Sequence, residues 1–251
     1  MLEASEARTV RTPYGTAALH VGRLGDREVA FLPRHGQAHG TPPHRVNYRA
    51  NMWALAEIGV RRCLASAACG SLRTELAPGT LALCDQFLDF TRGRPSTFFD
   101  GGEGGVRHVD MTEPYCPQIR AALVRAAGAL GLPVAVRATY VCTEGPRFET
   151  PAEIRAFAML GGDVVGMTGV PEVVLAREAG ICYASVAIAT NYAAGLAGQP
   201  LTHEEVVEAM GRATGAVRRL MLEAIIGLED GACAACPPPP APLAGGGGQG
   251  Q

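Results

Sequence analysis

The chain has 251 residues, 22 arginines, no lysine, a formal charge of −2 and a pI near 6.3. That balance gives no basic footprint for neutralising a phosphate backbone, which argues against nucleic acid as a partner, and the missing lysine excludes a Schiff-base or P-loop lysine. Arginine is left to recognise any small anion, and the length suits one α/β domain around a single core.

The opening MLEASEARTV carries two glutamates and lacks the basic and apolar regions of a signal peptide. Glu28 to Pro33 reads as a strand ending just before Arg34. Asn47 to Gly59 reads as a helix, with apolar Ala50, Trp53, Ala54 and Leu55 on one face and a glycine stop. Cys63 to Ala67 is a strand followed by Ala68 to Ser71, and Thr80 to Phe87 is another. Cys116 to Gly131 repeats the helix pattern with its glycine stop. Val134 to Cys142 is a strand leading into Glu144 to Thr150, and Pro151 opens a helix through Leu160 where a missing N–H costs nothing. Asp163 to Met167 is a strand ahead of Thr168, Pro171 opens the helix to Gly180, and Ile181 to Ala189 is a strand ahead of Asn191. His203 to Ile226 is the longest helix.

This alternation predicts an α/β fold with a mixed central β-sheet surrounded by helices, a single domain over residues 1–227. Ligand sites in such sheets lie beyond strand ends, which is where Arg34, Ala68, Glu149, Thr168 and Asn191 fall. Arg177 and Glu178 interrupt the most apolar stretch, and Ile181 to Gly198 reads as strand then loop rather than a membrane span. A cytoplasmic, non-membrane protein is expected. Past Gly227 the Pro/Gly-rich sequence is low in complexity, and residues 228–251 are expected to form a disordered tail.

Eight cysteines, at 63, 69, 84, 116, 142, 182, 233 and 236, lie mostly in apolar runs and read as reduced, buried thiols. Cys233 and Cys236 form the one CxxC. Without a second pair, or a strand and helix around it, it reads as neither a zinc nor a redox site. His35, His39 and His44 suggest a metal cluster only weakly, since no acidic motif accompanies them and GTPPH breaks any helix. No metal is expected.

Two segments carry most of the chemistry: EGPRFETPAE, Glu144 to Glu153, and ATNY around Asn191. Glu149 offers an acceptor, and Asn191 offers a donor and an acceptor on one side chain. The pair suits a purine with a ring N–H and a carbonyl, which adenine lacks. Between them, GMTGVPE supplies a hydroxyl at Thr168 for an anion and a thioether at Met167 for a sugar face. Met167 has a weaker competing reading as core, and Phe148 reads as either core or a stacking wall for the base.

Taken with LPRHGQAH, VNYRANMWAL, ACGSL, DQFLDFTRGRPSTFFDG, HVDMTEPYC and GMTGVPEVVLAREAGICYA, these motifs resemble the trimeric purine nucleoside phosphorylase and methylthioadenosine phosphorylase family over roughly Thr12 to Ile226. The resemblance implies phosphorolysis of a purine nucleoside to free base and ribose 1-phosphate, with inorganic phosphate as co-substrate, no cofactor, and a homotrimer. It assigns Glu149, Asn191 and Phe148 to the base. Met167, His203 and a neighbouring subunit's His108 fall to the sugar, and Arg34, His35, Ala67, Ala68 and Thr168 to phosphate. Asn191, where the aminopurine branch carries an aspartate, and Glu149, where the methylthioadenosine branch carries a small hydroxyl residue, imply 6-oxopurines such as inosine or guanosine. His203 matches the residue that meets the ribose 5′-hydroxyl, although Thr202 and Glu205 also allow it a plain helix-start role.

Two departures stand out. The family opens with a strand and a glycine-rich phosphate loop that MLEASEARTV does not match, and Ala67 stands where the methylthioadenosine branch has a threonine. A methylthioinosine or methylthioadenosine phosphorylase, and a purine-binding remnant without catalysis, are the competing expectations.

Overall fold

The computed structural model describes residues 3–101, 104–196, 203–229, 231, 233, 235 and 236. It begins with an antiparallel meander of β1 (Glu3–Thr12), β2 (Gly15–Leu24) and β3 (Arg27–Phe31). Tight turns set its register. Gly15, at φ +116°, closes the first, where the Thr12 hydroxyl donates to the Gly15 carbonyl at 2.7 Å. Gly25, at φ +62°, sits in the second. Alternation buries Ala17 and Leu19, which with Val10 pack on Ala54 of α1 (Tyr48–Glu57). Asn47 joins the two pieces. Its Oδ1 accepts from the Ala50 amide at 3.0 Å, capping α1, and its Nδ2 donates to the Tyr14 carbonyl at 2.7 Å.

The central sheet closes into a barrel in the order β4-β7-β6-β5-β8. Its strands are β4 (Arg62–Ser71), β5 (Leu81–Phe90), β6 (Val134–Thr143), β7 (Val164–Gly166) and β8 (Cys182–Tyr192). β8 runs parallel to β4 and antiparallel to β5, and is buried from Cys182 through Asn191, which is why its sequence is continuously apolar rather than alternating. One layer of helices, α2 (Pro117–Leu130) and α5 (His203–Ile226), buries Ile119, Leu123 and Leu220 against Leu83, Val186 and Ile188. On the other side α1 and α4 (Gly169–Glu178) share a core with Tyr140 and Tyr183, and α3 (Pro151–Met159) covers Val141 and Val165 through Ile154 and Phe157. Among the described residues no helix is long and apolar enough to cross a membrane.

The α/β class with a mixed, helix-covered sheet is as expected, and the predicted strands and helices from Glu28 onward are present within a few residues. Two differences matter. The strands β1 and β2 escaped the sequence reading, although Val10, Ala17, Leu19 and Val21 alternate across a glycine turn. Residues 228–236, expected to be unstructured, lie against the domain at their described positions. Leu228 is buried, Arg27 donates to its carbonyl, and Arg62 donates to the carbonyls of Glu229 and Gly231 at 2.7 and 2.8 Å. Composition hides this docking because the segment contributes mainly backbone oxygens, with Leu228, Cys233 and Cys236 its few side chains in or against the core. Residues 237–251 lie outside the described residues.

β3 and β4 leave a gap. Among the described residues β3 pairs only with β2, and β4 meets β7 only at Gly70 and Ser71, so the rest of one β4 edge has no strand beside it. A cleft of about 1200 Å³ separates these edges, walled by Val29, Ala65, Val217 and Met221 and reaching Arg34 and Ser66.

Candidate functional site

One row of the barrel organises the site. Asn191 on β8 sits opposite Gly70 on β4, Gly70 opposite Val165 on β7, and Val165 opposite Val141 on β6. Just past this row the chain leaves β6 toward Glu149 and leaves β7 toward Met167 and Thr168. Residues distant in sequence therefore converge because neighbouring strands end together.

One end of the site, whose chemistry suits an anion, is built around Arg34 and Thr168. The Arg34 guanidinium donates to the Thr168 hydroxyl and to the Ser66 carbonyl, each at 3.1 Å, and its Nε lies 3.4 Å from the Glu172 carboxylate. Glu172 in turn accepts from the Tyr183 hydroxyl at 2.6 Å. Burial is the largest single influence on Arg34 and disfavours its charge, but Glu172, Tyr183, Cys63 and Tyr140 together outweigh it and hold the guanidinium protonated. These three contacts leave an N–H on each terminal nitrogen, and the Thr168 hydroxyl, already accepting, keeps its own hydrogen to donate.

Thr168 precedes α4, whose first turn is interrupted at Val170 by extended backbone, and the Val170 amide donates to the Cys142 sulfur at 3.4 Å. Tyr140 fixes the turn: its hydroxyl accepts from the Thr168 and Gly169 amides at 3.2 and 3.3 Å. Only glycine allows the ring this close, since a Cβ on Gly166 or Gly169 would stand 2.3 or 2.8 Å from Tyr140 atoms.

His35 is half-buried, with Nδ1 paired to the Thr41 carbonyl at 2.8 Å and its ring 4.7 Å from that of His39. Burial lowers its pKa, opposed by the Thr41 carbonyl and reinforced by Arg34. A neutral ring whose Nδ1–H is committed presents Nε2 as an acceptor. Ala67 is buried and Ala68 exposed on β4, following the Ser66 carbonyl that holds Arg34.

The end that carries Asn191 and Glu149 is looser. Asn191 is buried; its Oδ1 accepts from the Thr190 hydroxyl at 2.7 Å and its Nδ2 donates to the Tyr192 carbonyl at 2.9 Å. Because the Tyr192 carbonyl can only accept, the amide nitrogen must face it, which fixes the amide orientation and leaves one N–H and one lone pair unused by these contacts. Glu149 is half-buried and accepts from the Thr143 hydroxyl at 2.7 Å, which ties it to the end of β6. Phe148 is exposed, which removes the core-packing alternative for its ring. Met167 is half-buried, and its Sδ lies where a Cβ on Gly145 would come within 2.6 Å.

His108 is exposed on the long loop between β5 and α2 and is not brought against the described site residues. His203 is the first residue of α5, and its side chain lies outside the described residues.

Sequence reasoning missed three supporting side chains. Glu172 and Tyr183 hold Arg34, and the first stands in plain sight as the acid of GVPE. Arg94 is nearly fully buried and staples the site. It donates to the Thr143 and Glu144 carbonyls at 3.2 and 2.7 Å and to the Val170 carbonyl at 2.8 Å, joining the end of β6 to the start of α4. The signal was an arginine inside GRPST with no lysine anywhere to share its work.

Comparison with known proteins agrees with this geometry. Residues 2–226 match the phosphorylase superfamily. The chain is 58% identical over 228 residues to a 6-oxopurine nucleoside phosphorylase from Pyrococcus furiosus, covering 89% of this chain and 86% of that protein. It is likewise 58% identical over 202 residues to a probable S-methyl-5′-thioinosine phosphorylase from Methanopyrus kandleri, covering 80% and 78%. Among solved structures, a methylthioadenosine phosphorylase from Schistosoma mansoni in complex with adenine superposes with a TM-score of 0.87 at 37% identity, over 91% of this chain and 89% of that one. The chain belongs to the phosphorylase superfamily, among its nucleoside phosphorylases.

Proposed function

We propose that this protein phosphorolyses 6-oxopurine nucleosides, inosine or guanosine, to the free base and ribose 1-phosphate. The observation that carries the reading is Asn191: a buried amide, oriented by the Tyr192 carbonyl, with a donor and an acceptor to spare. The donor meets the purine carbonyl, while Glu149 accepts from the ring N–H. Phe148 forms the stacking wall and Met167 lies under the sugar.

Phosphate is taken between Arg34, Thr168 and the β4 backbone around Ala67 and Ala68. The neutral His35 accepts the hydrogen of a protonated phosphate oxygen. A phosphate oxygen attacks the anomeric carbon as the glycosidic bond breaks, and that bond's electron pair moves onto the purine. Asn191 opposes the growing negative charge with a fixed donor in a water-poor site. An amide cannot protonate the base, so the departing purine takes its proton from solvent.

The reading needs no cofactor, and it includes a trimer in which the exposed His108 reaches a neighbour's sugar site. A phosphate-dependent assay of inosine, guanosine, adenosine, methylthioinosine and methylthioadenosine tests it. Faster turnover of inosine or guanosine than of both aminopurines supports the proposal, and preference for methylthioadenosine overturns it. The Methanopyrus kandleri relative favours methylthioinosine as the second reading, in which the base contacts stay and an apolar 5′ group replaces the hydroxyl at His203.

A further inference from the structure

Four cysteines, from three distant parts of the sequence, meet at the end of the barrel remote from the proposed nucleoside site. Cys116 caps the start of α2, Cys182 is the first residue of β8, and Cys233 and Cys236 lie in the docked segment after α5. Their sulfurs all lie within 4.8 Å of one another, and the Cys116 and Cys233 sulfurs are 3.6 Å apart. The sequence reading discounted Cys233 and Cys236 for want of a second pair. That reason fails: the fold supplies the pair, together with the strand and the helix whose absence counted against the site.

We propose that Cys116, Cys182, Cys233 and Cys236 bind one zinc ion in a closed, tetrahedral, structural site. Four thiolates at about 2.3 Å from one ion stand about 3.8 Å apart, close to the spacing found here. A disulfide needs sulfurs at about 2.05 Å, and a cluster of several irons holds its cysteines farther apart. Cys-x-x-Cys is the usual spacing of a zinc-binding turn, and the Cys236 amide donates to the Cys233 carbonyl at 3.3 Å, as a tight turn requires.

The surroundings are already ordered. The Cys116 amide donates to the Tyr183 carbonyl at 2.7 Å, which locks the first two ligands together, and Arg177 donates to the Ala235 carbonyl at 3.4 Å between the other two. All four positions belong to protein, so the ion has no open place for substrate and acts by pinning residues 228–236 across the starts of α2 and β8. Cys182 and Asn191 are nine residues apart on one strand, roughly 30 Å, which separates the ion from the chemistry. Each thiol releases its proton to solvent as it ligates.

The test uses the full chain, purified under reductant after growth with added zinc. Elemental analysis should find about one zinc per chain, and replacing it with cobalt should give the visible absorption of a tetrahedral thiolate site. In denaturant without reductant all eight cysteines should react with a thiol reagent once the ion is chelated. The C233S/C236S double variant should lose at least tenfold of the bound metal while a C63S variant keeps it. Wild-type protein that stays metal-free after reconstitution with zinc, or that shows a disulfide among these four cysteines in place of metal, overturns the proposal, and this result does not depend on any variant folding.

Discussion

The two ends of the proposed nucleoside site are built on different principles. At the anion end, Arg34, Thr168, Glu172, Tyr140 and Tyr183 are mostly buried and hold one another through a connected set of contacts. At the base end, Glu149 accepts one short hydrogen bond from Thr143, and Asn191 is held only by its chain neighbours Thr190 and Tyr192; both keep polar capacity in reserve. A network that fixes every member specifies one ligand shape and tolerates little change. A side chain tied to so few groups can be exchanged and alter what is recognised at small cost to the fold. In the proposed reading, phosphate is met by the first kind of construction and the base by the second.

The contrast is widest at the open flank of the anion end, where the cleft between β3 and β4 reaches Arg34 and Ser66.

Removing the network's centre is the first test. Arg34→Ala deletes charge-assisted contacts worth roughly 1.5–3 kcal/mol, so the KM for phosphate should rise about 10- to 150-fold with far less effect on the KM for nucleoside. Thermal unfolding should also shift downward, since the variant leaves the Glu172 carboxylate buried without its cation. Equal kinetic effects on both substrates would mean that Arg34 supports the fold and not the anion.

Asn191→Asp probes the permissive end. The carboxylate loses the donor aimed at a purine carbonyl and can accept from an exocyclic amine. A donor–acceptor mismatch in a buried site costs about 1–3 kcal/mol, so the ratio of inosine to adenosine turnover should fall roughly tenfold or more. Glu149 opposes a complete reversal. Measured kcat/KM values for both nucleosides decide it, and an unchanged ratio removes Asn191 from base recognition.

What was legible in the sequence follows the same division. Arg34, Thr168, Glu149 and Asn191 could be picked out because each follows a strand whose apolar pattern announces it. Their partners could not, because Glu172 and Tyr183 meet through the turn into α4, and Arg94 acts on carbonyl oxygens that any sequence would supply. The hairpin of β1 and β2 was readable from alternation but was overshadowed by the search for a different first strand. The docking of residues 228–236 was invisible, since it depends on Arg62 and Arg177 reaching backbone oxygens and brings Cys233 and Cys236 to Cys116 and Cys182, which lie far back in the chain.

The smallest expected effect concerns the loop that carries Phe148 and Glu149. Thr150 caps α3 by accepting from the Glu153 amide at 3.2 Å, while the Glu153 carboxylate accepts from the Thr150 amide at 2.7 Å and from Arg147 at 2.7 and 2.9 Å. This reciprocal box sets the direction in which the loop leaves the helix. Thr150→Ala should cost about 1 kcal/mol of stability and raise the KM for nucleoside a few-fold while leaving that for phosphate unchanged. The pH dependence has a definite sign. Arg147, and then the Thr150 amide, hold the Glu153 carboxyl down at about 2, below the ordinary value near 4.3. Its contribution is therefore complete above the ordinary value and fades as pH falls toward 2, discounted because the pair faces solvent. Glu153→Gln should accordingly narrow the gap to wild type in acid-unfolding curves below about pH 4, and a gap that stays constant across that range would show that the box acts through geometry and not through charge.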